Sequence, residues 1–195
     1  DGWRAIDVGS SVYLNGGLVK ITQFISAQEV AGQILQEMST VEESVAGSWT
    51  LEQDDWSVAN GYPRWSKFHE QRLLYGSSDE FPQSFWGTRS LDFEDFTRSG
   101  TADGGFKYTL ADATGPIYWA MSANQLILGA ENSEFRAGTD PLSAVSPPTI
   151  RPFGDDGSSE VEPVRIGTSI LFAQRQGSAL REIRFDDTQQ SYDSD

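Results

Sequence analysis

Apolar and polar positions alternate along this 195-residue chain in short runs bounded by turn residues, which predicts strands in preference to helices. Val12 and Leu14 on one side, and Val19 and Ile21 on the other, flank Asn15-Gly16-Gly17. Asn and Gly accept the positive φ of a tight hairpin turn, so these residues predict a hairpin. Further along, one pattern occurs three times: an apolar strand, a polar turn, then an amphipathic strand. It runs through residues 72–76 and 84–88, then 125–129 and 134–137, then 169–173 and 180–185. The apolar runs are centred 53 residues apart (Leu74 to Ile127) and then 44 (Ile127 to Leu171), close to the spacing of four-stranded propeller blades. A β-sandwich with regular hairpins also fits this spacing.

One stretch is ambiguous. Over residues 28–38, Val30, Ile34, Leu35 and Met38 fit a helical stripe, whereas Val30, Gly32 and Ile34 fit a strand. The rest divides by texture. Residues 1–50 read as a small β module and 51–137 as a propeller-like blade region. Residues 138–163, with five of the eight prolines and Gly154-Asp155-Asp156-Gly157-Ser158-Ser159, read as a loop or insertion. Residues 164–195 read as a further, truncated blade. The expected fold is all-β: partial β-propeller blades made of antiparallel hairpin repeats, with a small N-terminal β module. The chain opens on Asp1 and stops after Ser-Tyr-Asp-Ser-Asp, so a piece of a longer polypeptide is expected.

Composition narrows the function. Hydrophobic content of 37% with 12% aromatics is that of a folded chain, and 195 residues can bury roughly 70% of their unfolded surface. With 14 basic against 29 acidic residues the net charge is −15, which disfavours binding to a nucleic-acid backbone. The same charge suits a soluble surface, or a conduit wall past which DNA slides without sticking. There are no cysteines, which excludes disulfides, thiol catalysis and Cys-ligated zinc. No apolar run approaches a membrane span, and no signal-peptide pattern opens the chain.

Catalytic chemistry finds little to build on. His69 is the only histidine, so any Ser-His-Asp triad or histidine metal cluster would centre on it. Its surroundings instead suggest a corner hydrogen bond or a salt bridge ordering the turn after Pro63. His69-Glu70 begins a zincin pattern, but Leu73 stands where the second histidine belongs. Carboxylate pairs that could serve a glycosidase are Asp54-Asp55, Asp79-Glu80, Asp92 with Glu94-Asp95, and Asp155-Asp156. Among 29 acids such pairs arise by chance, and none is singled out. The 154–160 stretch offers oxygens to calcium without the spacing of a calcium loop. No catalytic, cofactor-binding or metal residue is assigned. Trp49, Trp56, Trp65, Trp86 and Trp119 sit in or beside predicted strands, where large rings usually fill the core.

The densest signal lies between residues 56 and 96. Trp56-Ser57 precedes Gly61-Tyr62-Pro63-Arg64, followed by Phe68-His69, Gln71-Arg72-Leu73 and a strand closed by Gly76. Then come Phe81-Pro82-Gln83, Phe85-Trp86-Gly87-Thr88, Asp92-Phe93 and Phe96. In order and spacing this resembles the podovirus tail nozzle family, which includes tail tubular protein B and the phage DNA-stabilisation hub. Asp7-Val8-Gly9 with Val12 to Gly17, and residues 169–172 with Arg181-Glu182, Tyr192 and Asp195, extend the resemblance. Ser77-Ser78 and the acidic insert at 154–162 depart from it. Trp56, Tyr62, Pro63, His69, Arg72, Gly76, Pro82 and Trp86 would be its structural motif. The resemblance implies a non-catalytic structural virion protein of a bacteriophage tail, made in the host cytoplasm. It would form a hexameric ring in its full-length parent, contact the tail adaptor and other tail proteins, and pass DNA without sequence-specific binding. No cofactor and no membrane partner is expected. The alternative from another class is a carbohydrate-binding β-propeller or adhesin module of a tail fibre or secreted lectin, with exposed aromatics repeated in each hairpin unit.

Overall fold

A computed structural model of the chain describes all residues except 1, 44, 46–47, 53–54, 59, 99, 139, 178, 187–190 and 195; at 52, 185–186 and 191–194 only the backbone is described. The chain is all-β. It comprises two compact units, Asp1–Ser57 and Val58–Asp195, whose described residues form four antiparallel four-stranded sheets.

The first unit holds β1 (Ser11–Leu14), β2 (Gly17–Ser26), β3 (Glu29–Gln36) and β4 (Thr50–Glu52), ordered β3-β2-β1-β4. The β1–β2 turn is the two-residue Asn15-Gly16 loop, with both φ values positive (48° and 74°), as a twisted hairpin requires. The ambiguous stretch at 28–38 is strand. It forms β3, paired with β2 from Leu18↔Gln36 to Ser26↔Glu29. Gly32 explains the choice. A Cβ there would lie 2.5 Å from Val19 Cγ1 and 2.9 Å from Lys20 O, so the two backbones approach as only glycine permits. Val12 and Ile21 share one face of this sheet and Leu18 lies on the other; all three are buried.

The second unit is three consecutive up-and-down meanders. The first is β5 (Trp65–His69), β6 (Arg72–Gly76), β7 (Ser84–Gly87) and β8 (Phe106–Thr109). The second is β9 (Ile117–Ser122), β10 (Leu126–Ala130), β11 (Glu134–Ala137) and β12 (Ile150–Gly154). The third is β13 (Val164–Ile166), β14 (Ser169–Ala173), β15 (Leu180–Asp186) and β16 (Ser191–Ser194). The three strand-turn-strand patterns read from the sequence are β6–β7, β10–β11 and β14–β15. β12 lies inside the Pro- and Gly-rich stretch expected to be loop. Pro152 fits there because β12 is an edge strand, with one side that no ladder partner uses.

The meanders stack face to face. Leu74, Phe85, Phe106 and Tyr108 of the first pack on Ile117, Ala120, Leu126, Leu128 and Phe135 of the second. The opposite face of the second presents Trp119, Met121 and Ile127 to Ile170, Phe172 and Ile183 of the third. The second meander is thus covered on both sides, and all five residues of β10 are buried.

Candidate functional site

Strand register shows that the stack is a repeat. Trp65 lies opposite Gly76 in the first meander and Trp119 opposite Gly129 in the second. Each indole lies on its glycine. A Cβ on Gly76 would come within 1.9 Å of the Trp65 ring, and one on Gly129 within 2.1 Å of the Trp119 ring. Gly76, Gly129 and Ala173 are therefore equivalent positions, as are Leu74, Ile127 and Leu171. In the first two meanders these residues lie on the face turned toward the following meander, and Ala173 and Leu171 lie on the corresponding face of the third. Leu128 and Phe172 lie buried on the face turned toward the preceding meander, and Tyr75, on the corresponding face of the first, is half-buried against Phe96.

The seam between the first two meanders gathers much of the motif read from the sequence. Trp65 Nε1 donates to the Ile117 carbonyl at 2.9 Å, and the Ile117 amide donates to the Pro82 carbonyl at 2.9 Å. Gln83 Nε2 donates to the Ala113 carbonyl at 2.7 Å. At the far end of β5, His69 Nδ1 is 2.9 Å from Ser122 Oγ, and the Leu142 amide donates to Glu70 Oε2 at 2.9 Å. Burial lowers the His69 pKa, and the Glu70 carboxylate opposes this only in part. His69 therefore joins two sheets through Ser122 of β9, rather than ordering the turn after Pro63. The turn that follows it, Glu70-Gln71, has both φ values positive (46° and 63°) without a glycine.

Arg72 is fully buried, its guanidinium donating to the carbonyls of Thr88, Gly104 (2.8 Å) and Ala102 (2.9 Å) and lying 5.3 Å from the Phe106 ring centre. It pins the long 88–105 connection onto the sheet. Trp86 is buried on the first meander's other face, where Phe81, Phe93 and Phe96 pack on Trp86, Phe68 and Tyr75, and Lys107 Nζ sits 3.2 Å from the Phe81 ring centre. Pro63 is half-buried and Tyr62 exposed just ahead of β5, while Trp56 is half-buried in the other compact unit. The seven motif residues of the second unit thus line sheet seams and corners and do not converge on one cleft.

The acidic candidates are dispersed as well. Asp79, Glu80, Asp92, Glu94 and Asp155 are exposed, Asp55, Asp95 and Asp156 half-buried, and Asp54 lies outside the described residues. The buried carboxylates among the described residues are Asp7 and Glu134, in different units. No group of three or more His, Asp or Glu among the described residues could hold a metal ion.

Glu134 is a residue that reading the sequence missed. It lies opposite Gly129, the place Phe85 takes opposite Gly76, and is as completely buried as that ring. Ser158 Oγ donates to its Oε1 at 2.9 Å, while its Oε2 has no partner. Burial pushes its pKa up to about 7, with the charges of Asp156 and Asp155 acting the same way against the Ser158 and Gly157 hydrogen bonds. A glutamate opening a strand after a polar turn looks solvent-facing; only its register with Gly129 marks it as interior.

No family model and no curated protein matches this chain.

Proposed function

We propose that this chain is a non-catalytic structural virion protein, part of the short-tail nozzle that continues the DNA-ejection channel below portal and adaptor. The observation that supports this best is the unfinished stack. Each of the first two meanders offers the face carrying Leu74 or Ile127 to its successor, and on both meanders that face is closed. On the third, the same face carries Val164, Ile166 and Leu180, 59%, 60% and 70% exposed, although Leu180 occupies the position of fully buried Phe85 and Glu134. Such a face suits a module that continues into further β-structure, as a blade does in a propeller. The Pro- and Gly-rich connection carrying Glu160 and Glu162, which reach Arg64 and Lys67, and the net charge of −15 suit a wall that weakens DNA adhesion. Hexameric assembly and contacts to the adaptor follow from the family resemblance and form part of the proposal.

The purified chain tests the functional class directly. Mobility-shift titration with duplex DNA at about 0.1 M salt should show no complex, and a glycan panel no saturable binding. Tight DNA binding would refute the low-adhesion wall. A saturable glycan would shift the reading to an adhesin.

A further inference from the structure

The seam between the second and third meanders is crossed by residues 155–159. The Ser158 amide donates to Ala130 O of the second meander at 2.9 Å, and the Ser159 amide to Ala173 O of the third at 2.9 Å. The Arg175 amide returns a bond to Gly157 O at 2.9 Å. This short segment fastens both sheets. Gly157, at φ 70°, lies so close that a Cβ there would meet Glu131 O at 2.3 Å. Beneath the segment is Glu134, fully buried where the equivalent seam has Phe85.

The charged groups around Glu134 leave it without a counter-ion. Asp156 and Asp155 on the segment add negative charge. Arg181 from the third meander is committed to Asp156 at 3.0 Å, and Arg175 donates to Asn132. Arg136, two residues along β11, lies over the Phe153 ring. No basic side chain contributes to holding the Glu134 charge, and Oε2 has no donor among the described residues. A buried carboxylate in that position is costly when ionised and tolerable when neutral.

We propose that Glu134 is a proton-operated latch: neutral, it lets the 155–159 segment close the seam between the second and third meanders; ionised, it loosens that closure. This inference is independent of the proposed virion role. The sign follows from linkage. The closed form holds the proton up to pH about 7, while an exposed glutamate releases it near 4.5, so closure weakens as pH rises between these values and levels off above them. With these two values the opening equilibrium grows about 70-fold from pH 5 to pH 8.

Two measurements on the full chain test it. In the first, carbon-13 labelling of glutamate side chains, with the Glu134 signal assigned by its loss in Glu134→Gln, should give a titration midpoint near 7; a midpoint near 4.5 overturns the latch. Ser158→Ala, which removes the donor to Oε1, should move that midpoint upward, and an unmoved midpoint counts against it. In the second, hydrogen exchange at the Ser158, Ser159 and Arg175 amides should accelerate from pH 5 to 8 by about 70-fold beyond the intrinsic base-catalysed rise. That excess should vanish in Glu134→Gln. No excess in the parent chain, or an equal excess in the variant, overturns the proposal.

Discussion

Substituting Gly76 by alanine isolates the contact that repeats through the stack. The backbone φ of Gly76 is not in the positive range, so alanine is allowed there. Through the unfolded chain, the change alone would stabilise by about 0.5–1 kcal/mol. Sterics decide the sign. The new methyl would lie 1.9 Å from Trp65 Cζ2 and 2.2 Å from Cε2, so the indole has to leave the glycine. Moving it breaks the Nε1 bond to Ile117 O and disturbs the seam that Leu74 and Phe85 fill. Overpacking of this kind costs about 1–3 kcal/mol and the lost hydrogen bond about 1 kcal/mol. The net expectation is a destabilisation of about 2–3 kcal/mol. Urea unfolding followed by near-UV circular dichroism should show the midpoint falling by about 1–1.5 M at unchanged slope, for a slope of about 2 kcal/mol per M. Trp65→Ala should cancel most of the Gly76→Ala penalty in a double-mutant cycle. A Gly76→Ala midpoint within about 0.3 M of the parent would refute the indole-on-glycine reasoning.

Other outcomes follow from the same geometry. Arg72→Leu leaves three backbone carbonyls without their donor and should cost about 2–4 kcal/mol, with faster limited proteolysis in 88–105. Leu180→Arg should change the chain's stability by less than about 0.5 kcal/mol, whereas Phe85→Ala at the equivalent buried position should cost about 3–5 kcal/mol; urea midpoints of the two compare them. His69, its pKa lowered by burial, makes the folded state bind fewer protons than the unfolded one. Its contribution is therefore present above the unfolded value of about 6.5 and lost as pH falls from there toward the folded value. His69→Gln should flatten that loss in thermal midpoints measured from pH 7 down to 5, and an unchanged slope would contradict it.

Much of the fold was legible because its determinants are local. Asn15-Gly16 can hardly be anything but a hairpin turn, and the continuous apolar run Leu126-Ile127-Leu128 needs covering on both sides. Residues 28–38 were not decidable locally, since the strand depends on how closely the Gly32 backbone meets Val19 and Lys20. β12 was hidden by proline and glycine, which composition assigns to loops although an edge strand accepts them. The Glu70-Gln71 turn carries no glycine and so no turn signature. The seams depend on cross-strand register. Trp65 with Gly76 and Trp119 with Gly129 are separated by unequal stretches of sequence, and their likeness appears only once the strands pair. Glu134 was the least legible, because nothing in its neighbourhood distinguishes a surface glutamate from one standing in for Phe85.

The most direct test of the structural-virion reading is immunogold electron microscopy of phage particles with antibody raised against this chain. Label concentrated at the distal end of a short tail is the expected result. Label on tail fibres, or no labelled particle with an antibody proven on the purified chain, would contradict it.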